Sequence, residues 1–132
     1  MKAIDTNVLI RFLIADDEPQ TQKAYSILKN AELKQREIFV PLLVVLEMIW
    51  VLESVYEIPR MEILESIRDL LAMPALKFEQ HSAVREFVRS ARGNSYDLSD
   101  LLIAHSARFN GCGPVLTFDK AASKFKWFER LT

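Results

Sequence analysis

A single carboxylate interrupts the longest apolar stretch of this chain. Glu47 is the only charged residue in the segment LLVVLEMIWVL, which spans residues 42–52. No Lys or Arg lies one helical turn away on either side, so a local i,i+4 ion pair is excluded. An ionised carboxylate is buried at tolerable cost only with a cation, with hydrogen bonds or on a metal ion. We therefore expect Glu47 to lie in a buried helix and to face a partner from elsewhere in the chain.

The composition bounds the class of protein. The chain has 132 residues, of which 50% are hydrophobic and 27% charged, enough for one domain with its own core. Cys112 is the only cysteine, which excludes an internal disulfide and a cysteine-based zinc site. We see no signal peptide and no apolar run near the ~20 residues of a membrane span. These features predict a single domain over residues 1–132, located in the cytoplasm, with no membrane association. The net charge of -1 neither favours nor excludes nucleic acid.

Short apolar segments alternate with segments of helical periodicity. Strands are predicted at residues 2–4, 38–40, 76–78 and 115–118, with an edge strand at 127–128. Helices are predicted at residues 8–14, 19–34, 42–55, 61–73, 81–92 and 97–109. Strands that alternate with helices indicate an α/β sandwich around a parallel sheet.

Four acidic residues stand where a parallel sheet gathers ligands. Asp5 follows the first predicted strand, and Asp119 follows the strand at 115–118. Glu47 lies in the helix after the second strand, and Asp100 lies in the first turn of the helix at 97–109. Open parallel sheets bind ligands at the carboxyl ends of their strands. Carboxylates gathered there repel one another unless hard cations such as Mg²⁺ or Mn²⁺ bind them.

Each acid also has a purely structural interpretation. Asp5, in the triplet Asp-Thr-Asn, suits an Asx turn or a helix cap. Asp119 suits a cap on a following short helix. Asp97 is favoured as a helix N-cap with Asp100 three residues on. Glu47 alternatively pairs with a distant arginine, so only the four acids together favour a shared metal site.

Other site motifs are missing from the sequence. His105 follows Asp100 by five residues, about 140° around a helix, and is expected to be partly exposed rather than a ligand. His81 is expected at a helix start in a structural role. The sequence has no Cys/His zinc spacing, no Gly-x-Ser-x-Gly, no P-loop and no Rossmann glycines. Three arginines on the helix at 81–92 are interpreted as a solvated face or, alternatively, as a phosphate-binding rim for RNA: Arg85, Arg89 and Arg92.

Four segments in order carry a resemblance to a known family. They are IDTNVL at 4–9, Glu47 in its apolar helix, DLSDLLIA at 97–104 and LTFD at 116–119. Together they resemble the PIN domain, in the form of the VapC-type toxins of bacterial toxin–antitoxin pairs, from Asp5 to about Leu131. The resemblance implies a PIN-like three-layer sandwich with a central parallel sheet of about five strands flanked by helices. It also implies an endoribonuclease that uses one or two Mg²⁺ or Mn²⁺ ions, cleaves RNA, is inhibited by a protein antitoxin and pairs as a homodimer.

The same resemblance gives roles to individual residues. Asp5, Glu47, Asp100 and Asp119 would be the catalytic and metal-binding quartet. Asn7 and Thr117 match polar accessory positions, and Asp97 is grouped with them. One ion, held mainly by Asp5, Glu47 and Asp100, would activate a water, and a second near Asp5 and Asp119 would stabilise the leaving oxygen.

Two other classes of function stay open. A haloacid-dehalogenase-like phosphatase or a receiver domain would also gather aspartates at strand ends. The phosphatase needs an aspartate where this chain has Asn7, and the receiver needs an acidic pair that Asp5-Thr6 does not supply. A non-catalytic module whose acidic cluster binds a basic peptide is the other alternative.

The helix around Glu47 also suggests association. It is apolar nearly all round, more than one core-facing stripe requires. We therefore expect the two helices after the second strand to contact a second subunit around the following residues: Trp50, Val51, Tyr56, Ile58 and Met61. Alternatively, the helix at 61–73 covers the apolar surface of the Glu47 helix completely.

Overall fold

Three short parallel strands form the sheet in the first part of the computed structural model, which describes residues 1–132. The chain divides into two units, residues 1–79 and residues 80–132. In the first unit, β1 (Lys2–Ala3), β2 (Ile38–Val40) and β3 (Leu76–Phe78) pair in the order β1-β2-β3. The Glu79 backbone N–H donates to the Val40 carbonyl at 2.9 Å, so the pairing continues one residue past β3.

Four helices connect these strands. They are α1 (Thr6–Leu13), α2 (Glu18–Leu33), α3 (Leu42–Ser54) and α4 (Arg60–Leu71). Asp17 caps α2 by accepting a hydrogen bond from the Gln20 backbone N–H at 3.1 Å, and Pro19 occupies the first turn. Each helix buries an apolar stripe, exemplified by Leu9 of α1, Ile49 of α3 and Ile63 of α4.

The second unit contains two helices and two parallel strands. These are α5 (His81–Ala91), α6 (Leu98–Phe109), β4 (Val115–Thr117) and β5 (Phe128–Arg130), with a 3₁₀ turn at Ala122–Lys124. Helices α5 and α6 pack on each other and bury, among others, Phe87, Leu98 and Leu101.

The predicted α/β class is confirmed, with six helices and parallel strands only. The five strands pair as one three-stranded and one two-stranded sheet. The predicted edge strand at 127–128 begins one residue later and runs to Arg130. No helix in the chain is both long enough and apolar enough to span a membrane.

Two burial predictions were wrong. Glu47 is exposed, because α3 turns one side to solvent: Leu43 and Trp50, four residues before and three after Glu47, are 78% and 58% exposed. His105 is 5% exposed rather than partly exposed, because Trp127 covers it with the ring centroids 4.7 Å apart.

Candidate functional site

Asp5 is held at the carboxyl end of β1 as the N-cap of α1. Its Oδ1 accepts a hydrogen bond from the Val8 backbone N–H at 3.1 Å, which is the helix cap that the sequence offered as an alternative. The side chain is exposed, and the cap occupies only Oδ1. A carboxylate has about four lone-pair sites. Asp5 is therefore fixed in position and still able to bind a cation.

Glu47 lies in the second turn of α3 and projects into solvent. It makes no ion pair and accepts no hydrogen bond, so the alternative of a distant arginine partner is not observed. Both of its oxygens are available to a ligand.

A third acid occupies this edge of the sheet, and the sequence reasoning missed it. Glu79 directly follows β3, and its Oε1 accepts a hydrogen bond from the Leu42 backbone N–H at 2.8 Å. Pro41, the N-cap of α3, offers no side-chain hydrogen bond, so Glu79 satisfies one of the free N–H groups at that helix start. The signal was present, because an acid immediately after a strand is the criterion that singled out Asp119.

In the second unit, Asp97 and Asp119 both hold the backbone. Asp97 Oδ1 accepts from the Asp100 backbone N–H at 3.0 Å, so its predicted role as N-cap of α6 is confirmed. Asp119 Oδ1 accepts from the Ala121 and Ala122 backbone N–H groups at 2.8 and 3.2 Å. The Asp119 backbone N–H donates to Thr117 Oγ1 at 3.0 Å. Thr117 thus orients the turn that carries Asp119.

Asp100 is the acid of the quartet whose surroundings oppose its ionisation. It is half-buried in the first turn of α6. Burial raises the pKa of its carboxyl, and the nearby charges of Asp97 and Asp119 raise it further. Asp100 has no ion pair to offset this. The three aspartates therefore make a locally negative region that a divalent cation would stabilise.

The predicted quartet divides evenly between the units. Asp5 and Glu47 lie in residues 1–79, and Asp100 and Asp119 lie in residues 80–132. Neither unit alone gathers three His, Cys, Asp or Glu side chains at metal-binding distances. Asn7 is exposed in the first turn of α1, beside Asp5 in sequence.

The predicted arginine rim is solvent-exposed and partly neutralised. Arg85 and Arg89 lie 3.6 and 3.3 Å from Glu86 Oε1, with side chains 54% and 70% exposed. Arg92 is exposed at the C-cap of α5. The solvated-face interpretation thus describes Arg85 and Arg92, while Arg89 also lines a pocket considered below.

Two comparisons show which known proteins this chain is similar to. A family model described as the PIN domain matches residues 2–127. The chain is also 26% identical over 124 residues to the VapC ribonuclease of Aquifex aeolicus (strain VF5), covering 94% of this chain and 91% of that protein. The matched region spans both units and contains all four acids of the quartet.

Proposed function

The chain belongs to the PIN domain family, and from this we propose that it is an endoribonuclease dependent on Mg²⁺ or Mn²⁺. The observation that carries the proposal is Asp100, a half-buried carboxyl beside Asp97 and Asp119 with no cation paired to it. A structural role alone would favour a neutralising partner at such a position. The similarity to a VapC ribonuclease supports RNA as the substrate.

The donor chemistry fits a hard divalent cation. The quartet offers carboxylate oxygens only, the ligands that Mg²⁺ and Mn²⁺ prefer. Asp5 and Asp119 each use Oδ1 in a cap, and Glu47 accepts no hydrogen bond, so all three have oxygens to offer. We propose that Asp5, Glu47, Asp100 and Asp119 hold one or two ions. When bound, such an ion lowers the pKa of a water and offsets the phosphate charge.

The protein's own contribution to the reaction is to position the carboxylate oxygens that would bind the ions. The caps made by Asp5 and Asp119 fix those carboxylates before any ligand arrives. Thr117 fixes the turn of Asp119, and Asp97 fixes the first turn of α6, on which Asp100 lies. Such groups orient ligands without binding the reacting atoms. Asn7 is proposed to do the same beside Asp5.

The wider biological role is also a proposal. We propose that the protein is the toxin of a toxin–antitoxin pair, that it forms a homodimer and that a protein antitoxin inhibits it. Residues 1–132 would act as one PIN domain, since the family match spans both units. A cytoplasmic location suits an RNA substrate and the exposed thiol of Cys112.

RNA cleavage with defined metals tests the activity. Purified protein should cut single-stranded RNA with Mg²⁺ or Mn²⁺ and not with EDTA. The Asp100→Asn substitution should lower the rate of RNA cleavage by more than the about 10- to 100-fold that is typical when a residue only orients ligands. Asp69→Asn is the matched control, because that side chain is 71% exposed and lies on α4. Equal activity in EDTA and in metal would contradict the proposal.

The same preparation separates the two rival classes. A phosphatase would hydrolyse p-nitrophenyl phosphate, and a receiver domain would be phosphorylated by acetyl phosphate. A non-catalytic acidic module would bind a basic peptide and cut no RNA with any metal. Each of these results would contradict the proposed nuclease activity and support the corresponding alternative function.

A further inference from the structure

A pocket of about 400 Å³ lies in residues 80–132, lined by α5, α6 and the segment before β5. None of the acids of the proposed metal site lines it, and neither does Asp97 or Glu79. Its polar and aromatic lining comprises, among others, Glu86, Arg89, His105, Arg108, Lys126 and Trp127. The pocket is thus a second concave feature, distinct from the acidic region at the start of α6.

Cations dominate the charge of this pocket. Arg89, Arg108 and Lys126 face a single carboxylate, Glu86. Glu86 already pairs with Arg89 at 3.3 Å, and neither Arg108 nor Lys126 makes an ion pair. Two cations therefore remain uncompensated on an otherwise slightly acidic protein, which favours an anionic ligand.

An aromatic wall stands among these cations. The Arg108 guanidinium carbon lies 4.7 Å from the Trp127 ring centroid, and Lys126 Nζ lies 5.5 Å from it. Trp127 is held edge-on by Phe125, with centroids 5.4 Å apart, and by the buried His105. His105 Nε2 is buried without a hydrogen-bond partner, so the aromatic part of the pocket lining contains one polar atom whose hydrogen bond is not made. The indole and the guanidinium above it are both flat groups, so this part of the pocket offers a flat surface to a planar group.

We infer that this pocket binds a segment of single-stranded RNA outside the cleavage site, an inference that rests on the proposed nuclease function. Single-stranded RNA combines the two required features: bases stack on aromatic and guanidinium planes, and phosphates bind Lys and Arg. An acidic peptide would satisfy the cations but leave the flat surface unused. Arg108 follows Asp100 by eight residues on α6, which places them about 12 Å apart along the axis and about 80° around it. One strand can therefore reach both places.

Binding measured without metal tests the pocket apart from cleavage. The probe is a fluorescein-labelled single-stranded RNA of mixed sequence, titrated in EDTA and followed by anisotropy. Arg108→Gln with Lys126→Gln should weaken binding by about tenfold or more and should lower the slope of log K against log salt by about 1.4, since each phosphate contact contributes about 0.7. Lys23→Gln with Lys29→Gln is the matched control, since it removes the same charge from two exposed positions on α2.

Tryptophan fluorescence tests the stacking surface directly. The chain has two tryptophans, so Trp50→Phe leaves Trp127 as the only reporter. RNA should quench this emission, and polyglutamate of the same charge should not. Polyglutamate that binds as tightly as RNA, with the same dependence on Arg108 and Lys126, would assign the pocket to acidic protein and overturn the inference.

The two proposals fail in different ways. If the protein cuts RNA while the Arg108 and Lys126 double variant binds and cuts like wild type, the pocket inference is wrong and the nuclease stands. If no metal supports cleavage but RNA binding still depends on Arg108 and Lys126, the nuclease is wrong and the pocket stands. Wild-type protein that binds no RNA would overturn the pocket inference.

Discussion

The carboxylates of the candidate site differ mainly in whether one oxygen accepts a hydrogen bond from the backbone. Asp5, Asp97 and Asp119 each use Oδ1 to accept backbone N–H groups. Each of these carboxylates thereby satisfies backbone N–H groups at a helix or turn start, where a negative charge is favourable. Asp100 is the exception, since burial and like charges oppose its ionisation. It is therefore the residue whose replacement reports most directly on the site.

Without metal, Asp100→Asn should stabilise the protein at neutral pH. The pKa of Asp100 is raised in the folded state. Its contribution to stability is therefore full below the ordinary aspartate pKa of about 3.9 and is lost as pH rises through the folded value. Urea unfolding in EDTA from pH 4 to pH 7 should show wild type losing stability relative to Asp100→Asn. Adding Mg²⁺ should reverse the order, because only wild type gains binding energy. Equal metal-induced shifts in both proteins would count against Asp100 as a ligand.

His105 should make the fold sensitive to mild acid. Burial is the main cause that lowers the pKa of its imidazole; the charge of Glu86 opposes this effect, and the charge of Lys126 adds to it. The neutral ring therefore contributes stability above the ordinary histidine pKa of about 6.5, and this is lost as pH falls through the lowered value. Thermal melts from pH 7.5 to pH 5 should show a smaller loss for His105→Phe than for wild type. His81→Gln, at the exposed start of α5, is the control and should follow wild type. A parallel decline in all three proteins would refute this role.

At the scale of elements, α3 shows both the success and the failure of sequence reasoning. Its bounds were predicted within one residue, because Pro41 and a continuous apolar run mark them. Its orientation was not, because a helix apolar at nearly every position has no stripe that identifies the core-facing side. Leu43, Glu47 and Trp50 follow helical spacing on the exposed side. The expectation that Glu47 is buried failed for this reason, although its selection as a candidate ligand did not depend on that alone.

Contacts between residues far apart in the sequence could not be predicted either. Strands β2 and β3 were predicted with their observed bounds from local composition. That Glu79 binds the Leu42 backbone depends on residues 37 positions apart, which local patterns do not specify. The caps by Asp5, Asp97 and Asp119 were foreseeable, since each bonds to a backbone N–H two or three residues ahead.

Glu79→Ala should destabilise the start of α3. The substitution leaves the Leu42 N–H without its 2.8 Å partner, and loss of a capping interaction costs about 0.5–2 kcal/mol. Glu79→Gln should cost less, because its amide oxygen can still accept. Urea unfolding in EDTA measures both, with Glu65→Ala on the exposed side of α4 as the control. A loss no larger than that of the control would show that the bond contributes nothing to stability.

For the whole molecule, the exposed apolar side chains near the end of α3 bear on association. Trp50 is 58% exposed and Met61 is 47% exposed. Tyr56 is a poor probe of an interface, because its hydroxyl donates to Asp16 at 3.0 Å and accepts from Arg11 at 3.1 Å. A carboxylate introduced there would disturb the subunit itself.

Trp50→Glu with Met61→Glu should convert the proposed dimer to a monomer. Buried apolar area drives most stable association, and two charges at the contact would remain unpaired. Light scattering at micromolar concentration measures the mass. Leu33→Glu is the matched control, because Leu33 is 74% exposed on α2, outside the proposed interface. A wild-type monomer, or a dimer unaffected by the double substitution, would exclude this interface.

Asp5 and Asp119 each cap a helix or turn and are each proposed to bind a metal ion, and this combination has a genetic consequence. Asparagine caps a helix about as well as aspartate but carries no charge. At Asp5 or Asp119, an exchange to asparagine would therefore silence a charge-dependent site while leaving the turn intact. Either aspartate codon becomes an asparagine codon by one base change. If the protein is the toxin proposed above, an inactive but still folded descendant lies a single mutation away, and a cell under selection to survive its expression has that short route open.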